Sequence, residues 1–162
     1  MQTLLPIAEE IAARLKARGE TVAVSESSTG GLVSAALLSV PGASAYFLGG
    51  AIVYTKKARE VLIGLPDAAI IAAGAQKPLS EAFVKLLART LRDQFSATWA
   101  ISEIGATGPA GSRYGDPAGT ACIALAGPVE RSLTVQTGHD DRVANMRIFA
   151  KAGLELLLQN VK

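Results

Sequence analysis

Apolar residues recur at helical spacing from the start of the chain. Leu4, Ile7 or Ala8, Ile11 and Leu15 mark one face and predict a helix over residues 3–18, with Gly19 as its stop. Thr21–Ser25 is short, apolar and rich in β-branched residues, which predicts a central strand. Leu32–Leu38 reads as a helix capped by Ser28 or Thr29 and broken at Pro41-Gly42. Gly49–Thr55 is the next predicted strand. Lys56–Ile63 follows as a short helix ended by Gly64 and Pro66, with Asp67–Ala73 a further helical turn. Ser80 stands ahead of Phe83, Leu86, Leu87 and Leu91, an amphipathic helix reaching Phe95. Thr98–Glu103, Thr120–Ala126 and Arg131–Thr137 read as strands, the last two an antiparallel hairpin turning at Gly127-Pro128. Val143, Met146, Ala150, Leu154, Leu157 and Val161 define the last helix.

The order α-β-α-β-α-α-β-β-β-α predicts one α/β domain over residues 1–162, a three-layer α/β/α sandwich with a mixed sheet. Two segments interrupt the regular pattern in the same way. Val22-Ala-Val-Ser-Glu-Ser-Ser-Thr-Gly-Gly31 is an apolar strand that runs into small hydroxylic residues and two glycines. Ile104-Gly-Ala-Thr-Gly-Pro-Ala-Gly111 repeats the theme and opens a Gly- and Pro-rich loop over 105–118. Such turns aim backbone N–H groups and a helix dipole at whatever lies beyond the strand ends, where open α/β sheets bind ligands. The two runs therefore predict one shared site.

Composition narrows the function. Apolar residues make up 49% of the 162 and charged residues only 19%, enough for a full core and for burial at an oligomer interface. The net charge of +2 and the scattered Lys and Arg give no footprint for nucleic acid. Arg14, Lys16 and Arg18 belong to the polar face of the first helix. No run has the roughly 18 apolar residues of a membrane span, and Glu9 and Glu10 interrupt the first apolar stretch, so no signal peptide is expected. A cytoplasmic protein is the expectation.

The lone cysteine, Cys122, falls within a predicted buried strand and reads as a packed thiol. A P-loop needs Lys-Ser or Lys-Thr after its last glycine, and neither glycine-rich run has it; G-x-G-x-x-G is also missing. His139 is the single histidine, in a polar stretch, so neither a histidine metal cluster nor a Ser-His-Asp triad can be assembled. Hydrolytic chemistry would need Ser or Thr activated by Lys or Tyr, or a carboxylate.

Six segments come in the order and spacing of one family: Ser25-Glu-Ser-Ser-Thr-Gly-Gly31, Val40-Pro-Gly-Ala-Ser-Ala-Tyr-Phe47, Gly49-Gly50, Val53-Tyr54, Ile104-Gly-Ala-Thr-Gly-Pro109 and Asp116-Pro-Ala-Gly119. The chain resembles the CinA C-terminal domain family, the PncC-type nicotinamide-mononucleotide amidohydrolases, nearly end to end. The resemblance implies hydrolysis of the carboxamide of nicotinamide mononucleotide to nicotinic acid mononucleotide and ammonia. It further implies no metal or other cofactor, a homodimer or higher homo-oligomer, and no nucleic acid or membrane partner. Larger members carry an extra N-terminal domain, which is not expected here because residue 1 stands almost at the first helix.

By the same resemblance Ser44 is the nucleophile and Tyr54 its orienting partner. Ser27, Thr29, Gly30, Gly31, Gly105, Ala106, Thr107 and Gly108 would line the substrate and stabilise an oxyanion through backbone N–H groups. Arg142 would neutralise phosphate. The family's activating lysine, five residues after the tyrosine, is Arg59 here, and a guanidinium cannot accept a proton. Lys56, one helical turn earlier, is the substitute base, with Lys57 less suitably placed and Arg59 left to bind phosphate. A second family arginine is Met146, and a family threonine is Ile104 with Thr107 nearby. Two readings follow: an amidohydrolase on a pyridine mononucleotide, or a nucleotide-binding or regulatory paralogue that kept the pocket and lost the base.

Overall fold

The computed structural model describes residues 1–75 and 77–162. Its elements run α1 (Leu5–Arg18), β1 (Val22–Glu26), α2 (Leu32–Leu38), a 3-10 turn at Ala43–Ala45, β2 (Phe47–Ile52), α3 (Lys56–Ile63), α4 (Asp67–Ala72), α5 (Glu81–Phe95), β3 (Trp99–Ala106), β4 (Thr120–Ala126), β5 (Arg131–Gln136) and α6 (Arg142–Asn160). The five strands form one mixed sheet in the order β2-β1-β3-β4-β5. β1 pairs in parallel with β2 and β3; β3–β4 and β4–β5 are antiparallel. The carboxyl ends of β1, β2 and β3 thus lie together at one edge of the sheet.

Strand alternation divides the sheet's faces by side-chain size. Val22, Val24, Trp99, Ile101, Ile123 and Leu125 pack with α1, α2 and α6 in the larger core. The opposite face presents Ala23, Ala100, Ala124 and Ala126, so α5 lies close to the sheet and presses Phe83, Leu87 and Leu91 onto it. This is the predicted α/β/α sandwich. None of the helices among the described residues is long and apolar enough to cross a membrane.

Three departures from the sequence reading shape the site. β2 begins and ends earlier than predicted, because Thr55 leaves the strand to cap α3, accepting the Ala58 N–H at 3.1 Å. β3 continues to Ala106, so Gly105 and Ala106 are ladder residues facing Ala121 and Thr120, not part of the loop. A side chain at Gly105 would stand 2.6 Å from Ser28 Oγ and 3.0 Å from the Phe149 ring. Finally, neither Ser28 nor Thr29 caps α2. Gly31, at φ +98°, occupies the cap position, and the carboxylate of Glu26 supplies the acceptors.

Candidate functional site

The carboxyl ends of β1, β2 and β3 open into a cleft of about 510 Å³. Its apolar wall is Val53, Leu79, Phe83, Leu87 and Ile104; Ser27, Glu103 and Gly105 line it from the sheet. Tyr54, Lys56 and Arg59 line it from the β2–α3 side, and Arg113 and Tyr114 from the long loop. The loop side is latched by Asp116, which accepts from Lys77 and from Ser112 Oγ, the latter at 2.6 Å. Burial pushes the Asp116 carboxyl up, but these donors hold it below its ordinary value.

At the end of β1 two carboxylates take the turn's donors for the protein itself. Glu26 accepts N–H bonds from Gly31 (2.9 Å), Val33 (3.1 Å) and Ser34 (2.8 Å), which satisfies the first turn of α2. Glu103, fully buried, accepts the Ser27 and Thr29 N–H groups at 3.1 Å and bonds Ser28 Oγ. Thr29 Oγ1 stands between them, 2.8 Å from Glu26 Oε2 and 2.9 Å from Glu103 Oε2. Burial pushes the Glu103 carboxyl above its ordinary range despite these donors. The Thr29 and Gly31 N–H groups, expected to face an oxyanion or a phosphate, are therefore spent on internal acceptors. Gly30 N–H likewise turns back to the Ser27 carbonyl at 3.3 Å.

The carbonyls of the second glycine-rich run are used by α6. Asn145 Nδ2 donates to the Thr107 carbonyl at 2.9 Å, and Arg142 Nη1 to the Gly108 carbonyl at 2.8 Å. Arg142 Nη2 also reaches the Tyr54 hydroxyl at 3.3 Å, so Arg142 ties the loop to the end of β2.

The expected trio of Ser44, Tyr54 and Lys56 is not assembled within one chain. Ser44 lies exposed in the turn that enters β2, where Phe47 pairs with Val22; Tyr54 lies beyond Ile52, which pairs with Glu26 at the other end. Five strand residues at about 3.3 Å each separate the two ends by roughly 17 Å. Lys56 does not match the role of a neutral base. Its ammonium is paired with Asp67, lies 3.8 Å from Glu60, and is raised above its ordinary pKa by the Asp67 bond. Arg59 is buried against the wall, donating to the Leu65 carbonyl at 3.0 Å and to Asp67, with its guanidinium 5.8 Å from the Phe83 ring centre. Lys57 is exposed. Ser27, which the sequence reading placed among the binding residues, lines the cleft, whereas Ser44 does not.

The family model of the CinA C-terminal domain matches residues 4–161. The chain belongs to the CinA C-terminal domain family. A CinA-like protein of Anaeromyxobacter sp. (strain K) is 38% identical over 149 residues, 92% of this chain and 36% of the relative. A CinA-like protein of Synechococcus sp. (strain CC9902) is 44% identical over 118 residues, 73% of this chain and 27% of the relative. The chain thus spans about a third of the length of the curated relatives it matches. The competence-damaged protein (CinA) superfamily protein from Enterobacter cloacae superposes with a TM-score of 0.88 at 25% identity, covering 98% of this chain and 92% of that one. That from Klebsiella pneumoniae 700603 also gives 0.88, at 23% identity, covering 98% and 97%.

Within this CinA domain the residues that sequence reasoning missed are mostly acids. Glu26, Glu103 and Asp67 control the turn, the buried hydroxyls and two of the three cations of α3. Glu103 carried one available signal, a lone charge in the apolar run Trp99–Ile104, where an acid is tolerated only with partners. Arg113 and Tyr114, on the cleft wall, sat in a loop too irregular to assign.

Proposed function

We propose that this CinA-family chain binds a phosphorylated pyridine mononucleotide in the cleft and lacks the lysine-assisted hydrolysis of its carboxamide. The observation that carries the reading is the state of the α3 cations. The residue at the expected lysine position is a guanidinium held by Leu65 and Asp67, and the nearest lysine is an ion-paired ammonium with its pKa raised. A serine hydroxyl needs a neutral acceptor to become a nucleophile, and neither group is one near neutral pH.

Binding is favoured by what the cleft retains. Its volume lies within the range of small-molecule sites. Tyr54, Phe83 and Tyr114 offer ring faces to a heterocycle, and Arg113 and Lys56 offer positive charge to a phosphate at the rim. A second reading, serine amidohydrolysis, is favoured by one observation, that Ser27 and Glu103 line the cleft together. Calorimetric titration with nicotinamide mononucleotide, alongside an ammonia-release assay on the same sample, separates the two. Saturable binding in the micromolar range without ammonia supports the first. Ammonia release abolished by Ser27→Ala establishes the second, and no binding with no release overturns both.

A further inference from the structure

A single carboxylate holds two of the cations that line the cleft. Asp67 Oδ2 accepts from Lys56 Nζ and Asp67 Oδ1 from Arg59 Nη2, so each oxygen of the acid serves one cation. Asp67, Lys56 and Arg59 all line the cleft. The other acid beside them, Glu60 on α3, stands farther off, 3.8 Å from Lys56 and 3.9 Å from Arg59. Two oxygens of one anion shared between an ammonium and a guanidinium is also the way proteins hold a phosphate.

The three side chains are fixed to different degrees. That of Arg59 is 7% exposed, with Nε anchored on the Leu65 carbonyl at 3.0 Å and the guanidinium 5.8 Å from the Phe83 ring centre. Its Nη1 takes no acceptor among the described residues, although Arg59 reaches the cleft. The Asp67 side chain is 49% exposed, and it opens α4, a six-residue helix that buries only Ile70. Turning the two torsions of this side chain carries the carboxylate into water without moving a helix, while the guanidinium stays where it is. The acid is therefore the member that yields.

We propose that Asp67 is a tethered mimic of the ligand's phosphate and sets the specificity of the cleft: it occupies the Lys56–Arg59 pair until an anion that outcompetes it, a phosphate monoester, takes its place. The proposal rests on the reading that the cleft binds a phosphorylated ligand. A group held on a short tether competes like a solute at about millimolar concentration. A free carboxylate brings the same charge and the same two oxygens, so it has no advantage over Asp67 and is refused. A phosphate monoester carries close to two charges near neutral pH and a third oxygen, which suits the remaining N–H groups of Arg59. The threshold thus separates a nucleotide from its nucleoside.

Calorimetry on the full chain tests this with three probes: nicotinamide mononucleotide, nicotinamide riboside and inorganic phosphate. Asp67→Asn keeps an acceptor for Arg59 and removes the charge. It should bind the mononucleotide and inorganic phosphate about tenfold more tightly than the parent, the scale of two partly exposed charge-assisted bonds, with riboside affinity within about twofold. Lys56→Ala/Asp67→Asn should lose most of that gain. If the mononucleotide binds neither parent nor variant while inorganic phosphate binds Asp67→Asn more tightly, the role of Asp67 stands and the choice of nucleotide falls. Unchanged or weaker phosphate binding by Asp67→Asn, riboside affinity that moves in parallel with the mononucleotide, or a gain that survives Lys56→Ala would each overturn the mimic. So would loss of the native circular dichroism in Asp67→Asn, which would make the bond a structural tie.

Discussion

Replacing Glu103 by Gln should leave the domain nearly as stable at pH 7 and flatten its pH dependence, whereas Ala should be severely destabilising. The reasoning is a proton count. Thr29 Oγ1 lies 2.8 Å from one carboxylate oxygen and 2.9 Å from another, and a hydroxyl has a single hydrogen to donate. With both acids ionised, one of these contacts would set two lone pairs against each other. The two acids share one hydroxyl hydrogen, and full burial, which raises the Glu103 pKa, favours the protonated form of that acid. The sign follows. A group whose folded pKa lies above its ordinary value, 4.5 here, contributes fully below that value. Its contribution falls by about 1.4 kcal/mol per pH unit until the folded pKa is passed. Gln keeps an acceptor for the Ser27 and Thr29 N–H groups and a donor for a hydroxyl, and carries no titrating proton. Ala strands two buried N–H groups and leaves Ser28 Oγ without its acceptor, at about 1–3 kcal/mol for each buried group, or roughly 3–9 kcal/mol together. Urea unfolding from pH 5 to pH 8, followed by the fluorescence of the buried Trp99, measures both effects. A Gln variant that parallels the parent at every pH, or that loses as much as Ala at pH 7, would show Glu103 to be ionised and refute the count.

Arg59→Lys places an amine where the family's lysine is expected; with nicotinamide mononucleotide it should produce ammonia release above the parent, measured by a coupled ammonia assay. Gly105→Ala should lower stability by about 1–3 kcal/mol in the same urea experiment, since its methyl would meet Ser28 Oγ at 2.6 Å and the Phe149 ring at 3.0 Å. Arg142→Ala should weaken ligand binding by an order of magnitude or less, read by calorimetry, with little change in stability: it frees the Gly108 carbonyl and the Tyr54 hydroxyl but buries nothing new.

The layers were legible because they follow from periodicity. Leu4, Ile11 and Leu15 repeat at helical spacing, and Val22 and Val24 alternate with Ala23; each packs in the core where its period puts it. The boundaries that moved did so for local reasons that a hydrophobic pattern does not contain. Thr55 prefers capping α3 to extending β2, and Ala106 stays in the ladder because Thr120 is opposite it.

The site was legible only in part, and the reason lies in the acids. A glycine-rich turn before a helix reads as an anion site when its N–H groups are free. Here Glu26, the last residue of β1, points its carboxylate at the same N–H groups from inside the fold, three of them within 3.1 Å. Because this internal anion occupies the start of α2, the phosphate of the proposed ligand would take its charge partners on the far wall, at Arg113 and Lys56. Glu26→Gln discriminates between the two arrangements, since it removes the internal charge and keeps an acceptor. If phosphate docks on the far wall, affinity for the mononucleotide should stay within about threefold of the parent; a tenfold or greater gain would mean that the turn itself is the phosphate site, masked by its own strand.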